Sequence, residues 1–172
     1  MMTAQDLATW IAYALVTHED EARKPSKAIR KWDGATPYGV HPTWCAMTIL
    51  QEPSLPEEVR VRGAATLLYH DITEDTLGSL PSDAPSDVVQ GVRDMSFAGG
   101  SAEEMELVWG KPPEIRLFKL YDKVSNLLDG AWMSGEKLLR YQRYTQWLAE
   151  DVALNYGELG IVRIARALAR AA

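Results

Sequence analysis

An all-helical bundle is the fold class this sequence predicts, on three observations. Apolar residues recur three and four positions apart through most of the chain, no stretch alternates as a half-buried strand does, and Pro or Gly punctuates the periodic segments. Thr3 is a suitable N-cap for a first helix to about residue 18, where Leu7, Trp10, Ile11, Ala14 and Leu15 form one apolar face. A polar stretch over 19–40 follows, broken by Pro25, Gly34, Pro37 and Gly39. It is too long for a simple connection, and long ordered loops are often functional. Pro42 in a first turn opens a helix to about residue 51. Pro56-Glu-Glu opens a third, apolar around most of its second half and therefore expected at the centre, which runs into His70-Asp71.

Residues 76–86 read as a loop. Short helices are expected over 86–95 and 101–109, the second with Ser101 and Glu104 as a capping box. Pro113 starts a strongly patterned helix to about 132, Gly135 precedes another to about 156, and 159–170 forms a short last helix. One domain, 1–172, is expected, since 172 residues bury a core without disulfides or structural metals.

The apolar fraction is 47%, yet no stretch approaches the roughly 20 apolar residues of a membrane span. The N-terminus does not resemble a secretory signal, and a single cysteine, Cys45, excludes an intramolecular disulfide, so a reducing cytoplasm is the expected compartment. A net charge of −6 argues against a nucleic-acid polymer as partner but not against a small anion. Arg23, Lys24, Lys27, Arg30 and Lys31 form the most basic stretch, readable equally as a phosphate-binding loop or as a solvated one.

The chemistry is concentrated in Leu67-Leu-Tyr-His-Asp-Ile-Thr-Glu-Asp-Thr76, where an apolar helix ends in four ionisable groups. Burying unpaired carboxylates is costly, and a metal ion that neutralises them is the economical explanation. Helical spacing puts Glu74 and Asp75 one turn beyond His70 and Asp71. Two further segments offer ligands: Thr36-Pro-Tyr-Gly-Val-His-Pro42 and Lys119-Leu-Tyr-Asp-Lys-Val-Ser-Asn126. Taken singly, His41 reads as a turn or capping histidine and Asp122 as a surface carboxylate between lysines. The ordered set His, His-Asp, Asp is far less expected by accident.

These segments resemble the HD superfamily of metal-dependent phosphohydrolases, and within it the alarmone (ppGpp) hydrolases, over about residues 8 to 150. The resemblance implies a single-domain HD-type helical bundle with one divalent ion, of the Mn²⁺ type, held by His41, His70, Asp71 and Asp122. It implies that Glu74 and Asp75 orient or deprotonate the attacking water. Arg30, Lys31, Tyr38, Lys119, Asn126 and Tyr144 would meet the substrate, although Asn126 also reads as a bundle hydrogen bond and Tyr144 as core. The expected function is removal of the 3′-pyrophosphate of (p)ppGpp. Alternatives are an HD hydrolase of another nucleotide (a deoxynucleotide, a cyclic nucleotide or a dinucleotide cofactor) and a catalytically silent nucleotide-binding module. Homo-oligomerisation stays open.

Three departures from the family stand out. Glu19-Asp-Glu-Ala-Arg-Lys-Pro25 replaces a Gly-Gln-Arg-like run, Val40 replaces the usual Asn before His41, and Tyr121 replaces a small residue before Asp122, which would set a bulky ring beside the site. His18 reads as a structural residue at a helix end rather than a ligand.

Overall fold

Thr3 and Asp6 cap each other at the start of α1 (Ala4–Asp20): the Thr3 hydroxyl accepts from the Asp6 amide, and the Asp6 carboxylate accepts from the Thr3 amide. The computed structural model describes residues 2–170. After α1 the chain forms an ordered loop rather than a free one. Two isolated antiparallel bridges, Ala22 with Thr76 and Ile29 with Pro37, pin it, and a short 3₁₀ turn, Pro25–Lys27, lies between them. Gly34, at φ 66°, makes the reversal that brings the Arg30 amide to the Thr36 carbonyl at 2.7 Å.

The remaining helices are α2 (Val40–Leu50), α3 (Glu57–Tyr69), the single turn α4 (Ile72–Asp75), α5 (Ser86–Met95), α6 (Gly100–Leu107), α7 (Pro113–Leu128), α8 (Gly135–Tyr156) and α9 (Gly160–Arg170). No strand occurs among the described residues. α3 is central, as its apolar second half predicts, and packs on α1, α2, α5 and α7; α7 also meets α2, α8 and α9. Ile49, Leu67, Leu68, Leu117, Phe118, Leu120 and Leu148 are fully buried between them. Each such side chain contributes roughly 1.5–3 kcal/mol. Gly63 lets α3 approach closely, because a Cβ there would meet Ile49 and Phe118.

Three local expectations are corrected. Ser101 and Glu104 do not form a capping box: α6 begins at Gly100, the Gly99 amide donates to the Glu103 carboxylate at 2.8 Å, and Glu104 turns inward. The helix from Pro113 stops at Leu128, where Asp129 leaves the helical region and Gly130–Trp132 forms a 3₁₀ turn. Tyr121 does not crowd the site, because its ring is wholly buried in the core while Asp122 looks the other way from α7.

Candidate metal centre and cleft

Three segments bring the expected ligands together. His41 stands in the first turn of α2, just after Gly39, which packs against Leu15 of α1 so closely that a Cβ there would displace the Leu15 side chain. His70 and Asp71 lie where α3 passes into α4, and Asp122 is in the middle of α7. His70 Nδ1 is 2.8 Å from the Leu67 carbonyl, which only accepts; Nδ1 therefore carries a proton, and in the neutral ring Nε2 presents its lone pair to the site. His41 Nδ1 is held at 2.8 Å by the Ser125 hydroxyl. Both Nε2 atoms are buried without a hydrogen-bond partner.

Those nitrogens face carboxylates. Asp71 Oδ2 is 3.1 Å from His70 Nε2 and 3.6 Å from His41 Nε2, and Asp122 Oδ1 is 3.4 Å from His41 Nε2 and 3.8 Å from His70 Nε2. Ligand atoms of His41, His70 and Asp71 lie within 4.8 Å of one another; Asp122 falls outside this tightest group but reaches both imidazoles. Two buried imidazole nitrogens, the buried Asp122 carboxylate and the half-buried Asp71 carboxylate form a mixed nitrogen and oxygen set that fits a divalent ion.

The electrostatics agree. Burial opposes the charged form of His70, but Asp71 and Asp122 outweigh it and lift that imidazole to about 10, whereas at His41 burial prevails and the shift is downward. Burial also works against ionised Asp71 and Asp122, yet His70 beside the first and Lys123 and Lys119 beside the second hold both below the usual carboxylate range. The carboxylates that retain a proton on His70 are the ones that would retain a cation, so proton and metal compete for one place.

Glu74 and Asp75 line the same cavity, of about 260 Å³, with Asp71, Lys119, Asp122 and Lys123. They are not equivalent. Asp75 is buried and paired at 2.5 Å with Lys27 from the loop, whereas Glu74 is exposed and has no ion pair among the described residues. Desolvation, and then the neighbouring Asp71, raise both carboxyls.

The expected substrate residues divide. Lys31 is exposed in an adjoining lobe of the cleft, its Nζ 4.2 Å from the centre of the Trp132 ring. Arg30 lines that lobe but is buried, with Nε 2.5 Å from Asp129 and Nη2 3.3 Å from Asn126. Tyr38 and Asn126 line the cleft and also hold ligand carboxylates: the Tyr38 hydroxyl donates to Asp71 at 2.5 Å, and Asn126 Nδ2 to Asp122 at 2.6 Å. Lys119 reaches the cavity while bonded to Glu104 and Asp122. Tyr144 is not brought to the cleft. It is a core residue, 1% exposed, whose hydroxyl donates to Glu104 at 3.0 Å. His18 is buried against Tyr38, both ring nitrogens unpaired, and lies outside the metal-competent group.

Sequence reasoning missed Lys27, Glu104, Lys123, Lys137 and Tyr141 as cleft residues. Lys137 and Tyr141 carry a signal that was available, a four-residue spacing that puts both on one face of α8. Lys27 was visible only as part of a basic run, and Glu104 only as a capping residue.

No protein-family model and no curated protein matches this sequence. Among solved structures, a metazoan ortholog of SpoT that hydrolyses ppGpp and plays a role in starvation responses matches with a TM-score of 0.72 at 18% sequence identity, over 99% of this chain and 97% of that chain. The likeness runs end to end, so the chain shares the all-helical fold of that structure.

Proposed function

We propose that this HD-type helical chain is a metal-dependent hydrolase of phosphorylated nucleotides, acting as one functional unit, and that it removes the 3′-pyrophosphate of ppGpp or a close relative. The observation that carries the reading is the pair of buried, unpartnered Nε2 atoms facing two carboxylates on the floor of a lysine-rich cleft. Likeness in fold to a ppGpp hydrolase supports it.

His41, His70, Asp71 and Asp122 would hold the ion, for which the family resemblance implies Mn²⁺ and with which mixed nitrogen and oxygen donors are compatible. When bound, such an ion acidifies water and polarises a phosphoryl oxygen. The Leu67 carbonyl and Ser125 hold the imidazoles in place, and Tyr38 and Asn126 orient the carboxylates. Glu74, free of an ion pair, takes the proton of the attacking water as its oxygen bonds to phosphorus. The bond from phosphorus to the ribose 3′-oxygen breaks, that oxygen receives the proton, and pyrophosphate leaves. Lys119, Lys123, Lys31 and Lys137 offset phosphate charge along the cleft. No helix among the described residues is long and apolar enough to cross a membrane.

A second reading, hydrolysis of a different phosphorylated nucleotide, is favoured by one observation: Asp129 and Asn126 already occupy Arg30, which leaves Lys31 as the unpaired member of the basic pair. The test is a panel of nucleotides incubated with Mn²⁺-loaded protein and resolved by chromatography. Pyrophosphate released from ppGpp is expected. Triphosphate or orthophosphate from another member selects the second reading, and no turnover by metal-loaded protein reduces the chain to a nucleotide-binding module.

A further inference from the structure

Four charged side chains are buried together beside the candidate metal centre: Glu104 of α6 and Lys119, Asp122 and Lys123 of α7, each 5% exposed or less. Burial of this kind is expensive unless every charge is matched. Here the matching has a direction. Glu104 Oε2 lies 3.1 Å from Lys119 Nζ and 2.9 Å from Lys123 Nζ, and the same two ammonium groups lie 3.3 and 3.1 Å from Asp122 Oδ2. The other oxygen, Asp122 Oδ1, faces the two imidazole Nε2 atoms and accepts from Asn126. The carboxylate is thus split between a lysine side and a metal side. Behind Glu104 the Tyr144 hydroxyl donates to Oε1, fixing the plane of that carboxylate from α8.

We infer that Glu104 is a positioning residue for the metal centre: by sharing Lys119 and Lys123 with Asp122 it keeps Asp122 Oδ1 aimed at the ion. Glu104 touches neither imidazole, so its influence runs through the lysines. With a neutral side chain at 104, both ammonium groups are left to Asp122 alone, drawing its charge and its orientation away from the cation. With a shorter acid at 104 the charge remains but the reach to two lysines and Tyr144 at once is lost. The inference rests on the proposed metal site but not on the identity of the substrate.

The experiment measures Mn²⁺ affinity by competition with a chelator for the wild-type chain, Glu104→Gln and Glu104→Asp, with circular dichroism to verify folding. Both variants are expected to bind Mn²⁺ about 10- to 100-fold more weakly, the usual effect of losing an outer-shell partner. Wild-type affinity in Glu104→Asp shows that charge alone matters and overturns the positioning role; wild-type affinity in Glu104→Gln overturns the link altogether, as does a wild-type chain that binds no Mn²⁺. Should neither variant fold, Tyr144→Phe decides, because it removes only the hydrogen bond that fixes Glu104: several-fold weaker binding supports the assignment and unchanged affinity overturns it. Failure of the nucleotide reading looks different, since the chain would then bind Mn²⁺ with this same ranking of variants and hydrolyse nothing.

Discussion

At the scale of single residues the two acids of the pair part company. Glu74 is exposed and without an ion pair among the described residues, whereas Asp75 is buried against Lys27. Glu74→Gln keeps shape and hydrogen bonding but loses basicity, so kcat is expected to fall about 10²- to 10⁴-fold. Metal content stays normal. Asp75→Asn, measured alongside, should cost less; near-wild-type kcat in both would remove proton transfer from the pair. His18 makes a prediction of a different kind. Burial depresses it from 6.5 to about 4. A histidine kept neutral by the fold contributes stability that is fully present above pH 6.5 and is lost as pH falls towards 4, because the unfolded chain takes up the proton first. The shift corresponds to roughly 3 kcal/mol. Denaturant titrations of the wild type and His18→Gln should differ in slope against pH within that window; parallel curves would exclude the buried histidine as a cause of acid sensitivity.

Elements add constraints that no single residue carries. α3 can sit between α2 and α7 only because Gly63 has no Cβ. Alanine is the better helix former by about 1 kcal/mol, but the added methyl would press on Ile49 and the Phe118 ring, and overpacking a core costs about 1–3 kcal/mol. Gly63→Ala is therefore expected to destabilise the chain, read as a lower urea midpoint at unchanged m; a raised midpoint would mean that α3 has room to spare. The loop between α1 and α2 stands out in the sequence by its length and charge, but its two central cations have different surroundings. Arg30→Ala leaves Asp129 unpaired and should cost roughly 3 kcal/mol of stability. Lys31→Ala should raise KM with little change in stability, an effect that shrinks as salt rises. Equal stability losses in the two variants would contradict this division.

On the scale of the whole molecule, the candidate ligands hang on a core that does not depend on them. The buried apolar cluster reaches from Ala14 in α1 to Ala165 in α9. Chelation is accordingly expected to abolish nucleotide hydrolysis while far-UV circular dichroism stays native and Tm falls only by the lost binding free energy; unfolding on chelation would make the ion structural. The helical class and most helix boundaries were legible in the sequence, because helical periodicity and proline and glycine punctuation are local signals; the costly cluster of ionisable groups marked His70 and Asp71, and the family resemblance completed the candidate set with His41 and Asp122. The folded chain alone reveals that Tyr144 bonds Glu104 and does not line the cleft, that Arg30 is paired with Asp129, 99 residues away, and which oxygen of Asp122 looks toward the imidazoles. Such pairings join groups that are distant along the chain, and a side chain's partner is set by how helices cross, which no window of sequence contains.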